Sequence, residues 1–184
     1  MANNHAVVRT DNMFGTDVRA GLVSIKYIVS TTTGEGASAV TTNTPTAIEN
    51  GNVLKVGELM DGEREIFAGS APAANTDLKD VVLVASPEVL YDERLRNLDD
   101  FINEADMPAR GYRLHKGDIF SVTAEALTVS VSGKTVPEVG NLVELQADTK
   151  LKVVASATSG STQVGRVIHV EKVGRYTYYA ILVG

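Results

Sequence analysis

The sequence predicts a mainly β protein of the α+β class, an antiparallel β-barrel or sandwich with one significant amphipathic helix. Three observations predict this class. Short stretches of alternating apolar and polar residues recur through most of the chain. Turns that contain glycine separate those stretches at the spacing that is typical of antiparallel β proteins. One stretch, over residues 87–106, instead repeats its apolar residues every three or four positions.

The length of 184 residues fits one domain of ordinary size or two small ones. We expect an extended N-terminal arm over residues 1–21 and a β-rich domain over residues 22–135. The segment 136–184 either completes that domain or forms a small second β domain. The chain has no cysteine, which excludes a disulfide framework, a thiolate zinc site and a thiol nucleophile.

The first predicted strand covers residues 22–30, where apolar Val23, Ile25, Tyr27 and Val29 alternate with a more polar set. The pattern then ends. Residues 31–46 are mostly Thr, Gly, Ala, Ser and Asn, which are too polar to form a core element. We therefore expect a flexible surface loop there, with a loop that orders against a partner as the alternative.

A hairpin and two further strands are expected before the helix. Asn50-Gly51 is a tight-turn signal and predicts a hairpin between residues 47–48 and 53–56. Residues 63–68 alternate as a strand. Residues 80–86 form a continuous apolar run of strand length, which indicates burial on both faces.

The predicted helix lies between Pro87 and Asp106. Ser86 suits its N-cap, Pro87 its first turn, and Pro108 ends it. We expect the helix to cover the protein's own sheet rather than recruit a partner. The residues of its apolar stripe are Tyr91, Leu95, Leu98, Ile102 and Ala105.

From residue 111 to the end, the chain alternates between strand and turn signals. The predicted strands cover residues 119–123, 127–131, 142–145, 151–155, 164–170 and 176–183.

No catalytic, cofactor or metal-binding pattern stands out. The three histidines, His5, His115 and His169, are far apart in sequence, so we expect no metal site. Glu63 and Glu65 would share one strand face, but a solvated face is the better interpretation of that pair. We therefore expect a protein that is not an enzyme and has no cofactor.

Composition also limits the partners. The formal net charge of −6 argues against nucleic acid as the main partner, although basic and aromatic residues alternate near residues 110–116. No apolar run approaches the roughly 20 residues that a membrane helix needs, and residues 1–5 do not begin a secretory signal. We expect no membrane partner.

Six segments resemble the capsid decoration or cement proteins that tailed phages encode beside the major capsid gene. They are VVRTDN at 7–12, ELMDGERE at 58–65, PEVLYDER at 87–94, LDDFINE at 98–104, YRLHKGDIFS at 112–121 and GRYTYY at 174–179. The resemblance implies a non-catalytic protein, made in the host cytoplasm, that lies on the outside of the virion's head. Its partner would be the major capsid protein, with copies of itself as a second candidate. The alternatives are a tail or baseplate component, or a small β-barrel module that binds protein or oligonucleotide.

The N-terminal arm is the predicted partner-contact segment. Its apolar residues follow no period that would bury them in a local element, so an extended segment could pair with a strand edge. We expect attachment to the capsid or to a neighbouring copy, with packing on its own sheet as the alternative. The candidate contact residues are Val7, Val8, Arg9, Met13 and Phe14.

Overall fold

The computed structural model describes residues 4–9, 21–34, 39–90, 92, 94 and 97–184. These residues form twelve strands in two six-stranded sheets. Helical structure among them is limited to three 3-10 turns, Leu78–Asp80, Leu98–Asp100 and Ala124–Ala126. In the described parts of the chain, no helix has the length and apolar character needed to cross a membrane.

The first sheet closes on itself as a five-stranded barrel with one additional strand. Its order is β2-β1-β4-β3-β5-β6, and β6 pairs back to β1. The barrel pairs are antiparallel except for β1 with β4, which run parallel. The strands are β1 (Leu22–Thr33), β2 (Val40–Pro45), β3 (Val53–Leu59), β4 (Ile66–Ser70), β5 (Val81–Val84) and β6 (Ala109–Arg113).

The second sheet is an open half-barrel with the order β7-β12-β11-β9-β10-β8. Its first strand begins at Ile119, so residues 119–135 belong to the same sheet as residues 136–184. The chain therefore passes from barrel to half-barrel between residues 114 and 118. The strands are β7 (Ile119–Val122), β8 (Leu127–Val129), β9 (Leu142–Glu144), β10 (Leu151–Val154), β11 (Gln163–Val173) and β12 (Tyr176–Val183).

Two hydrophobic clusters form the core, one inside the barrel and one between barrel and half-barrel, and β5 contributes to both. Val82 and Val84 belong to the cluster that fills the barrel. Val81 and Leu83 point to the other face and belong to the cluster formed with the half-barrel. All four side chains are fully buried, so the predicted burial of this run on both faces is confirmed.

The predicted helix over residues 87–106 is wrong. Residues 101–108 contain one isolated bridge and turns, and Leu98 of the expected apolar stripe is 42% exposed. The physical reason is that the backbone finds partners far away in sequence. Asn103 N–H donates to the Ile48 carbonyl at 3.0 Å, and the Asn103 carbonyl accepts from Ile48 N–H at 2.9 Å. Tyr91 and Leu95 lie outside the described residues.

The expected loop over residues 31–46 is also corrected. β1 continues to Thr33, and β2 pairs with it from Val40 to Pro45, so most of the segment is a β-hairpin. Threonine is β-branched and favours strands, and backbone ladder bonds form without any apolar face. Residues 35–38 lie outside the described part of the chain.

The turn at Asn50-Gly51 is confirmed, but its hairpin is not. Gly51 has φ of +85°, a conformation that favours glycine. Ile48 forms a bridge to Asn103, while β3 pairs with β4 and β5 instead. The expected strand at 63–68 begins only at Ile66, and a strand overlaps each of the six C-terminal stretches.

Candidate functional site

One end of the barrel carries the features that suit contact with another molecule. β1 and β6 run antiparallel, and Ile25 of β1 lies opposite Ala109 of β6. The part of β1 after Ile25 therefore lies at the same end of the barrel as the residues just before Ala109. The two-stranded extension of β1 and β2 therefore rises from the same barrel end at which Ser86 and Pro108 lie. We call that end the distal end, and we call the pairing of residues 28–33 with 40–45 the ribbon.

A groove of about 530 Å³ opens between the turns that cross the distal end. Val89 and Met107 on its walls expose 57% and 60% of their surface. Such large apolar side chains at the rim of a concave surface are typical of sites that bind another protein. The full lining is Ser86, Val89, Leu90, Asp92, Phe101, Ile102, Asn103, Glu104, Met107 and Pro108.

The groove is held to the barrel by the side chain of Asn50, which is 1% exposed. Its oxygen accepts from Ser86 N–H at 2.9 Å and from the Asn103 amide at 3.1 Å. Its own amide donates to the Ser86 carbonyl at 2.8 Å and to the Glu88 carboxylate at 3.1 Å. These bonds join residues on both walls of the groove to one buried side chain.

The ribbon is polar and exposed on both of its faces from residue 30 outward. Two cross-strand side-chain bonds join its strands, Ser30 to Asn43 at 2.7 Å and Thr32 to Thr41 at 3.0 Å. Val40, near its far end, is 62% exposed. A two-stranded ribbon gains little stability from burial, and its surface remains open to contact.

Of the predicted contact residues, Val7 and Val8 lie in the protein's own core, with 1% and 2% exposure. Val7 N–H donates to the Thr123 hydroxyl at 3.1 Å, and Thr123 N–H donates to the Val7 carbonyl at 3.0 Å. Val8 forms a bridge to Val122 of β7. Val7 and Val8 therefore pack on the protein's own sheet, the alternative left open by the sequence. Met13 and Phe14 lie outside the described residues.

Arg9 is near the surface but engages its own chain. Its guanidinium donates to Glu171 of β11 at 2.8 Å and lies 5.6 Å from the centre of the Tyr178 ring. Arg9 N–H also donates to the Ser121 carbonyl at 3.0 Å. These bonds fasten the end of the buried segment to the half-barrel sheet.

Asp99 is a buried polar residue that the sequence did not reveal. It lies in the segment predicted as a helix, and its side chain is 1% exposed. Its carboxylate accepts from Asn4 N–H at 3.0 Å, from the Tyr176 hydroxyl at 2.8 Å and from Arg175. No local pattern predicts this cluster, because its members come from three distant parts of the chain.

The pKa of Asp99 reflects two opposing effects. Burial disfavours the charged form and raises the pKa. The hydrogen bonds from Asn4 and Tyr176, together with the charge of Arg175, favour the charged form and outweigh burial. The pKa of Asp99 therefore lies below its usual range. The cluster connects residue 4 and the 98–100 turn to the β11–β12 hairpin.

The ionisable residues considered from the sequence do not converge. His5 bonds Glu49 at 3.0 Å, and His115 lies 3.6 Å from Asp118. Glu63 and Glu65 lie in the turn before β4, not side by side on a strand. Within the described ranges, no three His, Asp or Glu side chains gather closely enough to hold a metal ion.

Comparison with protein-family models, curated proteins and solved structures finds no match for this chain.

Proposed function

We propose that this protein is a non-enzymatic phage structural protein that binds the outer surface of the major capsid protein lattice and decorates or stabilises the head. The observation that supports binding is the preformed groove at the distal end, with Val89 and Met107 exposed at its walls. The choice of the capsid as partner rests on the resemblance of six sequence segments to phage decoration proteins.

Burial of the groove would provide a modest contact at each site. A side chain such as valine or methionine contributes about 1.5–3 kcal/mol when it moves from water into an apolar interface. Because Asn50 already fixes both walls, little ordering cost opposes that gain. A decoration protein repeats its contact over a symmetric lattice, so a modest contact at each site is sufficient where copies also reinforce one another.

Co-sedimentation with purified empty heads tests the proposal. The wild-type chain should pellet with heads and stay in the supernatant with isolated tails. Met107→Asp should weaken head binding about tenfold or more, since a charge in a buried apolar contact must be desolvated. Val89→Asp should act in the same direction.

Val139→Asp is the matched control, because Val139 is 61% exposed and lies in a turn before β9 of the half-barrel. It should bind heads as the wild type does. Binding to tails but not heads, or equal binding by Met107→Asp and the wild type, would contradict the proposal. Unfolding curves of all three variants identify any loss that results from misfolding.

A further inference from the structure

The register of the ribbon determines which backbone groups of β2 face outward. Thr46 N–H donates to the Tyr27 carbonyl at 2.9 Å, in line with the Ile28↔Pro45 pairing. Backbone groups alternate between the two sides of an antiparallel strand. Thr42 and Thr44 therefore direct their N–H and C=O groups toward β1, while Thr41 and Asn43 direct theirs away from it.

Two observations agree with this assignment. Side-chain bonds join Ser30 to Asn43 and Thr32 to Thr41. Opposing side chains lie closest in the pairs that exchange no backbone bonds, so these two pairs are where such contacts are expected. Pro45, which has no N–H, falls on the outward side, where no bond to β1 is lost. Within the described residues β2 is the terminal strand of its sheet, so this edge has no neighbouring strand.

Apart from Pro45 at its end, this edge also lacks the usual protection. Natural edge strands are commonly guarded by charges, bulges or very short length. The ribbon pairs all six residues of β2 in register, and residues 28–33 and 40–45 contain no charged side chain. A polar, regular and uncharged edge is suited to pairing with another strand.

We propose that β2 pairs with β2 of a second copy of this chain, antiparallel and centred on Thr42. The two ribbons then form one four-stranded sheet across a twofold axis. Thr41 of each copy exchanges two backbone bonds with Asn43 of the other copy, which gives about four bonds at the centre. This proposal is independent of the proposed head binding, which uses the groove.

The sequence of β2 fits self-pairing because a twofold axis places one residue opposite itself. That residue is Thr42, and a threonine pair across two strands is favourable, whereas any charged residue would repel its copy. Pro45 ends the pairing, because it offers a carbonyl but no N–H to the second copy. These features select an identical strand as the partner.

Sedimentation equilibrium of the full chain provides the first test. The wild type should form a dimer whose fraction rises with protein concentration. Thr42→Lys alone and Thr42→Asp alone should be monomeric, because each places two like charges in contact. An equimolar mixture of the two variants should restore the dimer, since Lys then faces Asp.

Thr31→Lys and Thr31→Asp are the matched controls. Thr31 lies directly across from Thr42 on β1 and is equally exposed, but it is one strand away from the new interface. Each control variant should dimerise as the wild type does. A dimer of Thr42→Lys as strong as that of the wild type would overturn the centred register, and so would a mixture that stays monomeric.

Thr41→Pro gives a second, backbone-level test. It removes an outward N–H, leaves the backbone bonds to β1 in place and loses only the exposed side-chain bond to Thr32, so it should abolish the dimer with little change in urea unfolding. A wild-type chain that stays monomeric at its highest soluble concentration would overturn self-pairing. If the wild type is monomeric and Thr41→Pro no longer binds heads, the edge pairs with a strand of the capsid instead of a second copy. Failure of head binding with the dimer intact would overturn only the proposed function.

Discussion

Strands β5 and β2 are both regular, but their surroundings are opposite. Each side chain of β5 is buried, two inside the barrel and two against the half-barrel. β2 has exposed side chains from Val40 to Thr44 and contacts the rest of the molecule through β1. Backbone pairing alone is thus sufficient to define a strand, while burial determines how much that strand contributes to stability.

The largest effect is expected in β5. Leu83→Ala should lower the free energy of unfolding by about 2–5 kcal/mol, because it leaves a cavity in the shared core. Urea denaturation followed by circular dichroism measures the change. Thr42→Ala in β2 is the matched control and should change stability by less than about 0.5 kcal/mol. Similar losses in both variants would contradict the contrast between the two strands.

The next effect is expected at Asn50, which holds the groove to the barrel. Asn50→Ala leaves Ser86 N–H and the Asn103 amide without that acceptor, and should cost about 2 kcal/mol. Asn43→Ala on the ribbon removes an exposed bond to Ser30 and should cost almost nothing. Amide hydrogen exchange at Ser86 should accelerate in Asn50→Ala only, and protection that remains unchanged would argue against its anchoring role.

A pH-dependent effect is expected at Asp99. Folding lowers the pKa of Asp99, so its ionised carboxylate stabilises the folded state at pH values above the ordinary pKa of 3.8. That stabilisation is lost as the pH falls through the folded pKa. Asp99→Asn should therefore be less stable than the wild type near neutral pH, by about 1 kcal/mol. Thermal unfolding across this range should show the difference narrowing in acid. A difference that stays constant with pH would contradict the assignment.

The smallest effect is expected at Leu98. A buried place in a helix stripe would make Leu98→Ala costly, but the side chain is 42% exposed. We expect a loss of less than about 1 kcal/mol in urea unfolding. A loss comparable to that of Leu83→Ala would show that Leu98 is buried after all.

The sequence predicted the strands whose apolar residues alternate or run continuously, because a sheet buries such residues on defined faces. β1 up to Ser30, β5 and the C-terminal series are examples. It failed at residues 87–106, where the helical spacing of apolar residues competes with bonds from Asn103 to Ile48. Those partners lie 55 positions apart, and no local pattern encodes them.

The candidate site was predictable only in part. The sequence predicted an extended segment around Val7 and favoured a strand edge outside the molecule, whereas Val7 and Val8 contact Thr123 and Val122 of the same chain. The groove depends on Asn50, whose partners come from two other segments. The ribbon was missed because apolar periodicity carries no signal in a strand that has no buried face.

The pairing of Val7 with Thr123 has a consequence for how the chain folds during synthesis. The two residues are separated by 116 positions, so Val7 has no partner when it leaves the ribosome. That contact cannot form before Thr123 has been synthesised, and β7, which ends next to Thr123, pairs with β12 near the other end of the half-barrel segment. Val7 is therefore made well before the residues that it contacts, and such long-range pairing should make folding slow.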